Sequence, residues 1–230
     1  MHEPTVNHTA HAYIRRKGRM TRAQARAFDN HTANYSISAE AIAAQMPGKP
    51  LGIEIGFGMG HALLDWAEAE PNWLLCGIEL YQPGVGALTD RLQQNGIRNV
   101  RILEQPAQIV LAALSDSCAQ EIRIFFPDPW PKKRHHKRRI IQPEFVGELA
   151  RVLQMGGVVR LATDWAPYAQ WMRECLFAET RLSVEVDHIR GAQEQMFDAS
   201  GRETTNFERR GERLGHDIHD LVLRRKVGVE

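Results

Sequence analysis

Residues 125–139 read Phe-Phe-Pro-Asp-Pro-Trp-Pro-Lys-Lys-Arg-His-His-Lys-Arg-Arg: one carboxylate held between two prolines, then a dense block of cations. Proline fixes φ and removes a backbone donor, so three prolines within five residues set Asp128 on a stiff turn at the end of the apolar run 122–126. A carboxylate held this way suits catalysis. Residues 132–139 carry six Lys/Arg and two His with no acid, a pattern that attracts phosphate and makes binding salt-dependent. A basic run by itself is a solvated face; its junction with the Pro-Asp-Pro-Trp turn is what points to a site.

A second constellation lies upstream. Glu54-Ile55-Gly56-Phe57-Gly58-Met59-Gly60 follows a short apolar run, and its glycines let backbone N–H groups approach a ligand closely. Glu79, nineteen residues after Gly60, stands where a carboxylate accepts from ribose hydroxyls in nucleotide-binding sheets. The loop lacks the Gly-x-Gly-x-x-Gly spacing of a pyrophosphate site, because position 61 is His. Glu54 also opposes a ligand that brings phosphate there. S-adenosylmethionine, with its ammonium and sulfonium, fits the loop better than a dinucleotide does.

These residues need elements to position them. Residues 1–48 show little apolar periodicity and end in Pro47-Gly48-Lys49-Pro50, a breaker cluster that marks entry into the core. They read as a basic, partly flexible arm ahead of a catalytic domain over 49–230. Strands are expected at 51–55, 74–80, 100–103, 122–126 and 158–163, and helices at 60–68, 83–94, 107–114 and 168–177. Ile141, Phe145, Leu149 and Val152 fall on one helical stripe, which Gly156-Gly157 is expected to close. Two further strands are expected at 182–186 and 218–223, flanking a polar segment from about 190 to 216. Such alternation implies an α/β fold with a mostly parallel sheet, helices on both faces and an antiparallel strand near the end. Ligands bind such sheets at the carboxyl ends of the strands, where Glu79, Asp128 and Asp164 all fall.

Composition narrows the class further. The 29 basic and 28 acidic side chains nearly balance, but twelve of the basic ones fall in two acid-free clusters. One is the block at 132–139; the other comprises Arg15, Arg16, Lys17, Arg19, Arg22 and Arg26. The rest of the chain is therefore acidic, and positive charge is sorted into patches. Cys76, Cys118 and Cys175 are scattered and odd in number, as buried thiols in a reducing compartment would be. No apolar run reaches membrane-spanning length and the N-terminus has no signal-peptide segment, so a soluble, cytoplasmic protein without membrane contact is expected. No metal site is expected: His135 and His136 have no third ligand at metal spacing, and His216 and His219 read as structural.

With these residues in view, the chain resembles the bacterial tRNA (guanine-N7)-methyltransferases. The likeness runs from Arg15-Arg16-Lys17-Gly18-Arg19 through the glycine loop, Gly77-Ile78-Glu79, Pro83-Gly84-Val85-Gly86 and the Phe-Pro-Asp-Pro-Trp turn. It continues through Lys137-Arg138-Arg139, Ala162-Thr163-Asp164, Thr205-Asn206-Phe207-Glu208 and Arg210-Gly211. The resemblance implies a class I (Rossmann-like) methyltransferase with a seven-stranded sheet, S-adenosylmethionine as cofactor, and tRNA as partner with no obligatory protein partner. It implies cofactor contacts at Glu54, Gly56, Gly58, Glu79, position 106 and Asp128, with Asp128 also the active-site residue. It implies tRNA contacts at Lys132, Asp164, Thr205, Asn206, Phe207 and Glu208. The reaction so implied is N7 methylation of a guanine in the tRNA variable loop.

Two positions depart from the family pattern. Pro106-Ala107 stands where the family has Asp-Ala, so the adenine must be held by backbone groups or by Gln105. Asn206 replaces a lysine, which removes one charge facing the substrate. Several roles stay open on sequence alone. Asp164 either meets the substrate or caps the next helix; Trp130 either stacks on a base or packs under its turn; Glu208 with Arg209 and Arg210 could be a surface ion-pair group. Pro106 also motivates a different class, an RNA-binding protein whose cofactor pocket has decayed. A small-molecule or protein methyltransferase shares the glycine loop but leaves both basic patches without a purpose.

Overall fold

The computed structural model describes residues 20–45, 48–191 and 217–228. Two helices, α1 (Arg22–Tyr35) and α2 (Ala39–Gln45), lie ahead of the sheet. The chain then alternates β1 (Leu51–Ile55), α3 (His61–Ala69), β2 (Leu74–Ile78), α4 (Gln82–Gln94), β3 (Val100–Leu103), α5 (Ala107–Ala113) and β4 (Ala119–Phe125). A 3-10 helix (Lys133–Arg138) leads into α6 (Pro143–Val152), β5 (Leu153–Thr163), α7 (Ala166–Phe177), β6 (Leu182–Arg190) and β7 (Ile218–Arg225). Among the described residues the sheet has seven strands in the order β3-β2-β1-β4-β5-β7-β6. β7 runs antiparallel to β5 and β6, and the other pairings are parallel.

The fully buried runs of β1 and β2 follow from helices covering both sheet faces. On one face α1, α3 and α4 bring Tyr35, Leu63, Trp66, Val85 and Leu88 against the β2–β3 side. On the other, α2, α5, α6 and α7 form the larger core, with Ile42, Leu111, Phe145, Leu149, Tyr168 and Met172. Cys76 and Cys175 are buried in this larger core, and burial pushes their thiols up to about 12 and about 11. They are space-filling groups rather than nucleophiles. No described helix is long and apolar enough to cross a membrane.

One expectation needs correction. Gly156-Gly157 do not close the helical stripe: α6 ends at Val152, β5 starts at Leu153, and the glycines lie inside the strand. The register there shifts between Ala119↔Leu153 and Glu121↔Val158, and Gly156 has φ 76°. A Cβ on Gly157 would stand 2.9–3.1 Å from the carbonyl oxygens of Gln154, Gln120 and Ala119, so the glycines make a bulge, not a helix stop.

In the N-terminal arm, the described residues from Thr21 onward pack against the sheet domain. Thr21 and Gln24 form a reciprocal capping box at the start of α1. α1 buries Ala27, Thr32 and Tyr35, and packs so closely on α4 that a Cβ on Gly86 would meet the Gln24 carbonyl oxygen at 2.4 Å. Past α1, the Ile37 N–H donates to the Ile102 carbonyl (3.1 Å) beside a Ser36↔Ile102 bridge, which covers the open edge of β3. Arg15, Arg16, Lys17 and Arg19 lie outside the described residues.

Candidate active site

The glycine loop is built by left-handed backbone. Gly56, Gly58 and Gly60 have φ of 76°, 55° and 76°, conformations that L side chains rarely adopt. Gly56 N–H donates to Ile78 O (2.8 Å), which fastens the loop to β2. Glu79 fastens it again: Oε2 accepts from Gly58 N–H (2.8 Å), while Oε1 accepts from Leu80 N–H (2.7 Å) and Tyr81 N–H (2.9 Å) at the start of α4. An ionised carboxylate offers about four acceptor positions, so three backbone donors leave it room for a hydroxyl. Glu79 is thus a brace for the loop as well as a candidate acceptor. The Pro83–Gly86 stretch completes the joint, because a Cβ on Gly84 would stand 1.9 Å from the Gly58 carbonyl oxygen. The Cβ position of Gly56 has nothing within 4 Å, and Gly56 itself is exposed. Beside this open cradle the Glu54 carboxylate is buried at 3% exposure.

At the end of β3, Pro106 occupies the N-cap position of α5 without a side-chain cap. Its carbonyl accepts from Ile109 N–H (3.0 Å) and Val110 N–H (3.1 Å). Gln105 is exposed and Ile109 is 45% exposed, so this corner offers a polar side chain and an apolar surface in place of a carboxylate.

The Asp128 turn is strained. Phe126 and Trp130, neither of them glycine, have φ of 49° and 44°, a conformation that costs about 1–3 kcal/mol each and persists only where surrounding contacts over-determine it. Four such contacts are present. Phe126 N–H donates to Ala162 O of β5 (2.8 Å). The Trp130 ring meets His135 edge-on at 5.8 Å between centroids, with the Arg138 guanidinium 5.1 Å from its centroid. Arg139 Nε donates to Pro129 O (2.9 Å). Asp128 itself is exposed. Burial pushes the Tyr168 hydroxyl upward in pKa.

Within the basic block, Lys132, Lys133, Arg134 and Lys137 are exposed, as a phosphate-binding face requires. Arg139 is not part of that face. It is 3% exposed and lies over the Tyr168 ring at 4.9 Å. His135 sits among Arg138, Arg134 and Lys132, and partial desolvation followed by those charges holds its pKa below the usual value. The Trp130 ring makes its contacts with His135 and Arg138 of the 3-10 helix.

Asp164 directly follows β5. The N-cap position of α7 belongs to Trp165, whose N–H donates to Thr163 Oγ1 (3.3 Å). Trp165, 37% exposed beside it, escapes a reading of the sequence, because a lone Trp carries no positional signal there. The pairs Arg190↔Ile218 and Thr163↔His219 bring the ends of β6 and β7 to this same edge. The chain therefore leaves Gly191 and returns at Asp217 next to β5. Thr205, Asn206, Phe207 and Glu208, with Arg209, Arg210 and His216, lie outside the described residues. His219 is buried in β7, and desolvation holds its pKa low, consistent with a structural role.

Because β1, β4 and β5 are adjacent and parallel, Glu54 and the glycine loop, the Asp128 turn and Asp164 line up along one edge. The strand order, the glycine loop after β1 and the carboxylate after β2 together define a class I (Rossmann-like) methyltransferase. Solved structures share the fold: an antibiotic-related methyltransferase (TM-score 0.60, 13% identity, covering 81% of this chain and 94% of that one), and the 16S rRNA (adenine(1408)-N(1))-methyltransferase from Catenulisporales acidiphilia (TM-score 0.57, 15% identity, covering 84% and 95%).

Sequence comparison is more specific. The family model described as "Putative methyltransferase" matches residues 48–221. Proteins named tRNA (guanine-N(7)-)-methyltransferase from Marinobacter nauticus (40% identical, covering 96% of this chain and 94% of that protein) and Acidovorax sp. (44%, covering 94% and 86%) align along nearly the full length. The chain belongs to the tRNA (guanine-N7-)-methyltransferase family.

Proposed function

We propose that the protein transfers a methyl group from S-adenosylmethionine to N7 of a variable-loop guanine in tRNA, as a single chain acting in the cytoplasm. The observation that carries this reading is the alignment of an open glycine cradle, the Asp128 turn and Asp164 along one sheet edge, with exposed Lys132, Lys133, Arg134 and Lys137 adjoining. The names of the full-length relatives support the substrate. A solved structure of the related rRNA enzyme in complex with cosubstrate SAM supports the cofactor.

The cradle fits that cofactor. Gly56 is open where a side chain would intrude, and Glu54 supplies negative charge suited to an ammonium and a sulfonium. Glu54, Gly56, Gly58 and Glu79 would hold it, Gln105 and the backbone at Pro106 would flank the adenine, and Asp128 would stand near the reacting end. S-adenosylmethionine, when bound, supplies an electrophilic methyl group.

Guanine N7 carries an in-plane lone pair at neutral pH, so this chain needs no general base. Its residues orient the ring. Alignment of two reactants can lower a barrier by about 7–11 kcal/mol. As N7 is alkylated the ring becomes cationic, and a fixed carboxylate at Asp128 or Asp164 stabilises that charge. The same carboxylates can accept from guanine N1–H and the 2-amino group, donors that adenine does not present on that edge. The lysines and Arg134 draw in the phosphate backbone without reading sequence.

Incubation of the purified chain with unmodified tRNA and labelled S-adenosylmethionine, followed by mapping of the modified base, tests this. N7-methylguanine in the variable loop is expected; methylation at another atom, or none without an added subunit, would reject it.

A further inference from the structure

The cation block contains one member that cannot serve as a phosphate contact. Arg139 is 3% exposed, and each of its interactions points inward. Nε donates to the carbonyl of Pro129, the residue after Asp128 (2.9 Å). Nη2 lies 3.1 Å from His136 Nε2; a guanidinium has no acceptor, so Arg139 donates and that ring nitrogen accepts. Its cationic plane lies over Tyr168, which is fully buried on α7 and whose hydroxyl accepts from Ile141 N–H (3.4 Å). Trp171, one turn further along α7, donates from Nε1 to Ile141 O (2.7 Å) and fastens the same strip. Gln142 Nε2 donates to the carbonyls of His136 and Arg139 (3.1 and 3.2 Å) and closes the 3-10 helix from below.

One guanidinium thus joins the Asp128 turn, the 3-10 helix with the exposed cations, and α7, which begins two residues after Asp164. The turn it holds is bracketed by the left-handed residues Phe126 and Trp130, so without a clamp it has more relaxed conformations available.

Resting on the reading of Asp128 given above, we propose that Arg139, seated on Tyr168, is a positioning residue that clamps the strained Asp128 turn in its reactive conformation. It acts through Asp128, touches neither RNA nor cofactor, and differs in kind from the other cations of the same run. Lysine cannot replace it fully, because a single ammonium lacks the planar fork that reaches Pro129 O and His136 while stacking on the ring.

The test is a double-mutant cycle between Asp128→Ala and Arg139→Met, read as single-turnover methyl transfer at saturating tRNA and S-adenosylmethionine. Arg139→Met is expected to slow transfer by up to about 10²-fold, the penalty for a reactive group displaced by about 1 Å. Arg139→Lys should recover part of that rate. Cofactor affinity should change less than about twofold, and the slope of log affinity for tRNA against log salt should be unchanged, because Arg139 meets no phosphate. In the Asp128→Ala background, Arg139→Met should add almost nothing, the signature of two residues acting as one unit. Additive effects, a wild-type rate for Arg139→Met, or a salt slope flattened by about 0.9 would each overturn the inference. A wild-type rate for Asp128→Ala would remove the Asp128 role and the inference with it. That outcome is distinct from failure of the inference alone, in which Asp128→Ala is slow and Arg139→Met is not. If Arg139→Met does not fold, Arg139→Lys, which keeps the buried charge, carries the same cycle: a smaller slowing that vanishes in the Asp128→Ala background is expected, and a wild-type rate or additive effects would overturn the inference.

Discussion

Asp128 concentrates the residue-scale argument, since its surroundings are fixed more tightly than an exposed side chain requires. The prolines on either side, the left-handed residues at 126 and 130 and the bond from Phe126 to β5 hold one carboxylate at the edge where β4 meets β5. If it supplies one preorganised electrostatic interaction to the transition state, Asp128→Ala should lower the single-turnover rate by roughly 10²–10³, the scale of removing one oxyanion-hole donor. Asp128→Asn should stay impaired, because the amide keeps the shape and loses the charge and half of the acceptor capacity. Circular dichroism serves as the folding control. A near-normal rate from folded Asp128→Ala protein would transfer the role to Asp164. The sequence shows Asp128 plainly, because prolines and charge are local signals. It does not show Arg139, because burial of one cation among six depends on where Tyr168 arrives from α7, a contact 29 residues away in the chain.

Elements are legible to the extent that their periodicity is their own. β1 and β3 have the expected bounds, and the helices after β1, β2 and β5 begin within two residues of theirs. Gly156-Gly157 mislead because a glycine pair after a helical stripe has the same appearance whether it ends the helix or bulges the next strand. α1 is hidden because its buried face consists of Ala27, Thr32 and Tyr35 rather than large aliphatic residues. The joint between the loop and α4 is similarly invisible in one dimension. Gly84 reads as a poor helix residue, yet it is the position that lets the Gly58 carbonyl approach. Alanine there would stand 1.9 Å from that oxygen, so the loop or the helix has to move. Overpacking of this kind costs about 1–3 kcal/mol, and the loop is the more yielding partner. Gly84→Ala should therefore weaken S-adenosylmethionine binding by roughly tenfold or more, at about 1.4 kcal/mol per tenfold, while the salt dependence of tRNA binding stays the same. Calorimetric titration with the cofactor measures this, and unchanged affinity would mean that the loop does not form the cofactor cradle.

At the scale of the whole molecule, charge is sorted rather than abundant. Exposed cations at 132–137 border the active edge, and Arg15, Arg16, Lys17 and Arg19 form a second group just before the capping box at Thr21. The packing of α1 on α4 and the cover over β3 show where the N-terminal segment can be cut without damage. Deletion of residues 1–19 removes four cations and leaves the cap, the α1–α4 packing and the Ile37–Ile102 bond in place. Deletion through 27 also removes the first six residues of α1 and uncovers Gly86. If the arm grips tRNA, the shorter deletion should weaken tRNA binding and flatten the log–log salt slope by about 0.9 for each duplex phosphate that the arm neutralises. Cofactor affinity and melting temperature should stay at wild-type values. The longer deletion should lower the melting temperature as well, because it opens the packed face between α1 and α4. Salt titrations of both deletions, read beside their thermal melts, separate the two contributions. An unchanged slope for the shorter deletion would show that those four cations meet no phosphate, and would leave the grip on tRNA to the cations beside Asp128.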